Sequence, residues 1–177
     1  MFSFFKKKEA GPKVTDVVFA KKQGKWNALV NAAKQHPNTV FVAWFDESME
    51  ALQQYFQQQN ITAEVSSYRQ LHSGLIGNRP VIFIEHHPLK AKEQQAFSSM
   101  NENSISVYSS LDEAFFRHFG GDKITALLDK LGLQDNEAIS HSMITKSIAN
   151  AQEKLAEKVT IEQSAGSMEE WMQKNIG

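Results

Sequence analysis

The sequence predicts an α/β protein in which one parallel sheet is flanked by helices. Residues 39–45 form a continuous apolar run between Pro37 and Asp46, which is typical of a strand buried on both faces of a parallel sheet. Before this run, a short apolar stretch at 14–19 leads into residues 21–35, which have apolar side chains at helical spacing. Strands that alternate with helices favour a parallel sheet with right-handed crossovers.

The remaining elements follow the same alternation. Further strands are predicted at residues 61–65, 80–84 and 104–108. The helix after the second strand is expected to start at a cap formed by Asp46, and its apolar face consists of Met49, Leu52, Tyr55 and Phe56.

The last third of the chain is predicted to be helical. Residues 115–133 indicate a helical hairpin hinged at Gly120 and Gly121, with Asp122 capping its second helix. Residues 136–159 carry one apolar stripe, which predicts a single long helix. A flexible break around Gly166 is expected to precede a short terminal helix.

Composition limits the classes of function. A chain of 177 residues with 41% hydrophobic content can bury one core. Its net charge of −1 argues against binding to nucleic acid, and the absence of cysteine excludes disulfides and thiolate chemistry. No apolar run reaches the length of a membrane span or a signal-peptide core. The expected location is the cytoplasm, with peripheral contact at the inner membrane left open.

Two regions carry a specific motif series. The upstream matches are Asp16-Val17-Val18-Phe19 and Gly24-Lys25-Trp26-Asn27-Ala28. The downstream matches are Tyr108, Ser110-Leu111-Asp112, Phe119-Gly120, Asp122-Lys123-Ile124, Leu128-Asp129-Lys130-Leu131-Gly132, Ile139, His141, Met143-Ile144-Thr145-Lys146, Ile148 and Ala151-Gln152. This series resembles the second nucleotide-binding domain of the SecA preprotein translocase ATPases and the start of their scaffold helix.

The resemblance implies a RecA-like, P-loop-NTPase-type sheet, a degenerate helicase C-terminal-like domain with a C-terminal helical extension. It divides the chain into an aromatic and lysine-rich N-terminus at 1–12, the SecA-like domain at 13–135, a scaffold-like helix at 136–160 and a flexible tail with a short helix at 161–177. The phosphate loop and the arginine-rich hydrolysis segment of that family have no counterpart in the sequence, which holds three arginines in all. We therefore expect no enzymatic activity, no catalytic residue and no resident cofactor.

The carboxyl edge of the predicted sheet is where a nucleotide would bind. ATP or ADP binding is not expected, but the candidate residues for it are Trp44, Asp46, Ser48, Glu85, His86 and His87. Two adjacent histidines at a strand end point in different directions, so no metal site is predicted. A surface loop without special chemistry is the favoured interpretation of His86 and His87.

Two segments are candidates for contact with a partner or a membrane. The N-terminus combines Phe2, Phe4 and Phe5 with Lys6, Lys7 and Lys8, a composition suited to anionic lipid. A strip that packs on the domain is the competing interpretation. In the tail, Trp171 and Met172 are spaced for one helical face, which suits either docking to a partner or packing on the chain's own domain.

The function predicted from these features is that of a non-catalytic SecA-like protein-binding module, an accessory or regulator of preprotein translocation with Sec components as partners. The alternative is a weak nucleotide-binding sensor that does not hydrolyse. A homodimer is compatible with either function.

Overall fold

The computed structural model describes residues 12–100, 103–130, 132, 134, 136–139 and 142–177. The strands are β1 Val14–Phe19, β2 Val40–Ala43, β3 Glu64–Ser67, β4 Val81–Phe83, β5 Ile105–Ser110 and β6 Ala138–Ile139. The helices are α1 Lys22–Gln35, α2 Asp46–Gln58, α3 Ser73–Ile76, α4 Lys90–Ser98, α5 Ala114–His118, α6 Gly121–Lys130, α7 Ser142–Ala156 and α8 Met168–Asn175.

The strands form one sheet in the order β3-β2-β4-β5-β1-β6. The first five strands are parallel, and β6 is antiparallel to β1, with Val18 opposite Ile139. The predicted α/β architecture with a mainly parallel sheet is therefore confirmed. The antiparallel edge strand is an addition that the sequence did not predict.

Alternating side chains of the strands divide the core between the two faces of the sheet. Val42 and Phe83 belong to the larger cluster, which α4, α5, α7 and α8 cover. Phe41 and Ile82 belong to the smaller one, which α1 and α2 cover through side chains such as Leu29. Both faces of β2 are fully buried, as its continuous apolar run predicts.

The long helix predicted for residues 136–159 is shorter in the structure. Ala138 and Ile139 pair with β1 as β6, so the helix begins only at Ser142. Its apolar stripe packs on the sheet, with Ile148 and Leu155 in the larger core cluster. This helix is therefore part of the same globular unit as the sheet.

The terminal segment is also part of that unit. In the structure α8 packs against α5, and Trp171 is only 1% exposed. The predicted short helix exists, but it is anchored in the core. Trp171 and Met172 are buried, so this helical face serves internal packing instead of the partner or membrane contact for which both residues were candidates.

Local boundaries differ from the predictions at two helix starts. Asp46 and Asp122 lie in the first turns of α2 and α6 rather than at cap positions, where their charges still favour the positive end of each helix. Gly120, with φ of +87°, follows the end of α5, as the hinge prediction required.

One strand boundary also differs from the prediction. Strand β3 begins at Glu64, not at Ile61, because the Ile61 amide still bonds to the Phe56 carbonyl at the end of α2.

Candidate functional site

A cleft of about 160 Å³ lies at the carboxyl edge of the parallel strands. Its walls come from α1, α2, the β4–α4 loop, residues 112–114 and residues 167–169. Parallel α/β sheets bind ligands at this edge, so the cleft is the natural place to look for chemistry.

The side chain of Lys25 on α1 lines the cleft and bonds to the segment after β4 and to the segment between β5 and α5. Its Nζ donates to the Ile84 carbonyl at 2.8 Å and to Glu113 Oε1 at 2.5 Å. The same Glu113 oxygen accepts the Ser110 amide at 3.0 Å. Lys25 is 5% exposed, and an ion pair at this depth is favourable only because the additional hydrogen bonds compensate for desolvation.

Glu85, immediately beyond β4, fixes the start of α2. Its Oε1 accepts the amides of Trp44 and Phe45 at 3.1 and 3.3 Å, and its Oε2 accepts the Ser48 hydroxyl at 2.6 Å. Burial raises the pKa of Glu85 to about 7, and this effect outweighs the nearby Lys25 charge and the hydrogen bonds, which lower the pKa. Glu85 therefore exchanges a proton near neutral pH.

The two histidines that follow Glu85 are buried, 3% and 6% exposed, so the prediction of a surface loop is wrong. His86 Nδ1 lies 2.9 Å from Glu93 Oε1, which also accepts the His87 amide at 2.8 Å. Burial alone would lower the pKa of His86, but Glu93 and Asp16 together raise it. The pKa of Glu93 is lowered, because His86 and the hydrogen bonds of Gln152 and His87 outweigh burial. The histidine and Glu93 form a buried ion pair.

His87 has a different environment. Its ring contacts the rings of Trp44, Phe45 and Trp171. Burial lowers the pKa of His87 to about 4, even though Glu162 lies 3.4 Å from its Nε2. A neutral imidazole packed between aromatic rings serves as a structural side chain at neutral pH.

The C-terminal segment forms one wall of the cleft through Ser167, Met168 and Glu169. The Gly166 carbonyl accepts the Glu47 amide in the first turn of α2 at 3.1 Å. Together with the two amides bound by Glu85, three donors at this helix start are already used. A helix N-terminus that binds phosphate needs such amides free, so this one is occupied by the chain's own groups.

The structure places the six predicted nucleotide-site residues in four environments. Ser48 and Glu85 line the cleft, whereas Trp44 and His87 line a separate cavity of about 240 Å³ beneath the tail. The Asp46 carboxylate is exposed and lies 3.8 Å from Arg69, an arrangement that contributes little energy. His86 contacts the ring of Phe115 and pairs with Glu93.

Sequence reasoning missed Lys25, Glu113, Glu93 and Gln152 as members of these clusters. Lys25 and Gln152 were noticed only as parts of the motif series. The single signal that could have identified Gln152 is its position on the apolar stripe of α7, where a polar side chain needs a buried partner.

The Arg79 guanidinium bonds to the carbonyls of Leu75 and Ile76 at the end of α3. These bonds hold the Arg79 side chain against the end of α3. Phe2, Phe4, Phe5, Lys6, Lys7 and Lys8 lie outside the described residues, so membrane contact by the N-terminus stays a prediction.

Within the described ranges, no group of three or more metal-ligating side chains could hold a metal ion. Likewise, none of the helices in this part of the chain is both long and apolar enough to cross a membrane.

Comparison with known proteins agrees with the motif series. The SecA 1 translocase subunit of Alkaliphilus metalliredigens is 31% identical over 141 residues, 76% of this chain and 15% of that protein. The SecA subunit of Flavobacterium psychrophilum is 35% identical over 101 residues, 55% of this chain and 8% of that protein. That of Chlorobaculum tepidum is 49% identical over 51 residues, 29% and 5% of the respective lengths. No protein-family model matches the chain.

The chain is SecA-like. It spans about one seventh of the first of these SecA relatives, so the likeness concerns a segment of SecA and not the whole translocase subunit. A mainly parallel six-stranded sheet flanked by helices agrees with a RecA-like fold for that segment. At the carboxyl edge of this sheet, the amides at the start of α2 bond to Glu85 and to the Gly166 carbonyl.

Proposed function

We propose that this chain acts in protein translocation as a protein-binding module that does not hydrolyse nucleotide. The observation that carries the proposal is the bond from the Glu47 amide to the Gly166 carbonyl. It places the chain's own backbone at the start of α2, where a phosphate would otherwise accept hydrogen bonds.

The charge of the cleft supports the same conclusion. Five acidic side chains line the cleft against two lysines, Lys22 and Lys25. Lys25 is already bound to Glu113 and to a backbone carbonyl. A triphosphate entering the cleft would meet more carboxylates than lysines, and Lys25 is already paired with Glu113, which is unfavourable for anion binding.

The partner class comes from the SecA relatives, whose names describe subunits of a protein translocase. A domain that is one segment of a larger SecA chain packs against other segments of that chain, so a separate copy can offer the same surface to a partner. The partners we propose are therefore SecA or the Sec channel, with the cytoplasm and the inner membrane surface as the places of action.

Direct binding tests the partner. Immobilised chain is exposed to purified SecA and, separately, to purified Sec channel in detergent, with a tag-only surface and a variant lacking residues 1–8 as controls. We expect saturable binding of one of the two at micromolar concentration or below. Failure of both to bind the full chain would overturn the translocation role.

Nucleotide titration tests the alternative, a weak nucleotide sensor, which the position of Lys25 in the cleft favours. A ligand at 100 times its Kd stabilises a protein by about 2.7 kcal/mol, which shifts the Tm of a chain of this size by several degrees. We expect no shift with millimolar ATP or ADP and Mg²⁺. A saturable shift would replace the first proposal by the sensor.

A further inference from the structure

Aromatic rings line the cavity of about 240 Å³ beneath the tail, which is separate from the acidic cleft. Trp44, just beyond β2, has its ring centroid 4.6 Å from that of Tyr68 and 5.2 Å from that of His87. The rings of Phe45 and Trp171 complete the aromatic walls. An engineered cavity of about 150 Å³ binds benzene, so this aromatic cavity has room for one ring that carries a small polar group.

The indole N–H of Trp44 is a buried donor. Trp44 is only 3% exposed, and within the described residues its Nε1 has no hydrogen-bond partner. Leaving a buried donor unpaired is costly, so such a group in a native fold calls for a water or a ligand that completes it. Trp171, on another wall of the cavity, differs in this respect, because its Nε1 donates to Glu162 at 3.0 Å. Trp44 therefore points to an acceptor that the chain itself does not supply within the described ranges.

The carboxylate of Glu162 on the cavity wall is already engaged. It accepts from Trp171 and lies 3.0 Å from Lys92 Nζ. His87 Nδ1 accepts the Leu89 amide at 3.0 Å, so the neutral ring carries its proton on Nε2, which lies 3.4 Å from Glu162. With three donors around it, Glu162 has little capacity left for a ligand's donor or positive charge.

The charges on the cavity walls favour an anion. Arg69 and Lys92 outnumber Glu162 there. The Arg69 guanidinium is 3.8 Å from the exposed carboxylate of Asp46, a weak pairing that leaves its planar fork able to accept a carboxylate ligand.

We propose that the aromatic cavity binds a small aromatic carboxylate, with the ring between the aromatic side chains and the carboxylate directed to Trp44 Nε1 and Arg69. A neutral aromatic ligand without an acceptor would leave the Trp44 N–H unpaired, and a cationic one would meet Arg69 and Lys92. Larger ligands bind in sites of roughly 300–1,000 Å³, which exceed this cavity. A free aromatic acid and the carboxyl-terminal aromatic residue of a peptide share this chemistry.

NMR titration of the ¹⁵N-labelled full chain tests the proposal, because its three tryptophans give three indole N–H signals. The probe is phenylacetate, and the control is phenylacetamide, which has the same shape without the charge. We expect phenylacetate to shift the Trp44 signal saturably, with half-saturation at about 1 mM or below. Phenylacetamide should bind at least about fivefold more weakly, because charge-assisted hydrogen bonds are the stronger ones.

Trp26 provides an internal control. Its Nε1 likewise has no partner within the described part of the chain, but Trp26 lines the acidic cleft, which disfavours an anion. Its indole signal should therefore keep its position throughout the titration. A shift of the Trp26 signal equal to that of Trp44 would overturn the proposal, since binding would then not depend on the aromatic cavity.

Arg69→Gln tests the charge at a position that is exposed, so the fold should be retained. We expect this variant to bind phenylacetate at least about fivefold more weakly than wild type. The matched control is Lys34→Gln, which removes an equal charge from an exposed position on α1 and should leave the affinity unchanged. Wild-type affinity of Arg69→Gln, or equal binding of phenylacetate and phenylacetamide, would overturn the proposal.

The absence of a saturable shift of the Trp44 signal would overturn it as well and would assign the cavity to solvent. A tripeptide that ends in phenylalanine with a free carboxyl group distinguishes the two sources of the ligand. Tighter binding of the tripeptide than of phenylacetate would support the site and assign it to the carboxyl terminus of a protein. Weaker binding of the tripeptide would support the site and assign it to a free acid. These results do not depend on whether SecA or the Sec channel binds the chain.

Discussion

The side-chain amide of Gln152 lies 2.9 Å from the buried carboxylate of Glu93 and donates a hydrogen bond to it. The same amide donates to the His87 carbonyl at 2.8 Å. Gln152 is on α7, the His87 carbonyl is on the β4–α4 connection and Glu93 is on α4, so one side chain attaches α7 to both. Its acceptors are in the core, where loss of a partner cannot be compensated by water.

Replacement of Gln152 by leucine tests this attachment. Leucine has a similar size but no donor, so a charged oxygen of Glu93 and a backbone carbonyl would be left unsatisfied. We expect the free energy of unfolding to fall by about 1–3 kcal/mol, measured by urea denaturation. Lys154→Ala, an exposed change on the same helix, is the control and should change stability by less than about 0.5 kcal/mol. Equal stabilities of the leucine variant and the wild type would refute the role of Gln152.

Glu85 predicts a specific dependence of stability on pH. Its pKa is raised by burial from 4.5 in the unfolded reference to about 7 in the fold. Between these values the native state holds a proton that the unfolded state has released, so the free energy of unfolding decreases as pH rises. The contribution is complete below pH 4.5 and is lost as pH passes through 7.

The variant Glu85→Gln removes this titration and keeps a neutral side chain of the same shape. Its carbonyl can accept the Trp44 and Phe45 amides, and its NH₂ group can face Ser48. Relative to wild type, the variant should gain stability between pH 5 and pH 8, on the order of 3 kcal/mol at about 1.4 kcal/mol per pKa unit. Glu47→Gln, an exposed neighbour, is the control. Parallel stability curves for Glu85→Gln and wild type would show that the burial of Glu85 does not govern its titration.

The sequence predicted the parts of the fold that depend on local patterns. The apolar run of β2, the amphipathic spacing of α1 and the glycine hinge at Gly120 have the structure expected of them. The motif series added the family resemblance, which the comparisons support. These signals are short in range, so a sequence without an alignment is sufficient to show them.

Contacts between residues that lie far apart in the chain could not be predicted from the sequence. Strand β6 consists of two residues, and nothing in the pair Ala138–Ile139 distinguishes it from the start of an amphipathic helix. The burial of His86 and His87 depends on Glu93 and Gln152 from elsewhere in the chain. The bond between Gly166 and Glu47 joins backbone groups and leaves no trace in residue type.

Substitution of Trp171 tests how strongly the C-terminal tail contributes to stability. Its ring is buried in the larger core cluster, and its Nε1 donates to Glu162 at 3.0 Å. Trp171→Ala should lower the free energy of unfolding by about 3–5 kcal/mol, and Trp171→Phe should cost much less, because most of the apolar contact remains. Urea denaturation of both variants measures the difference. A tail that is only loosely attached would give small and equal losses for the two variants.

At Gly121 the backbone of α6 lies very close to the backbone of Leu111 and Phe116. A β-carbon at this position would lie 2.2 Å from the Leu111 carbonyl oxygen and 3.0 Å from that of Phe116. These are backbone atoms, so a substitution requires α5 and α6 to separate, although alanine normally favours a helix. We expect Gly121→Ala to lower the free energy of unfolding by about 1–3 kcal/mol, as overpacking does. The matched control is Gly166→Ala, where the nearest atom is a flexible Glu170 oxygen at 3.5 Å and the expected change is within about 0.5 kcal/mol. If Gly121→Ala were as stable as wild type in urea denaturation, α6 would not pack as closely on the β5–α5 connection as the structure has it.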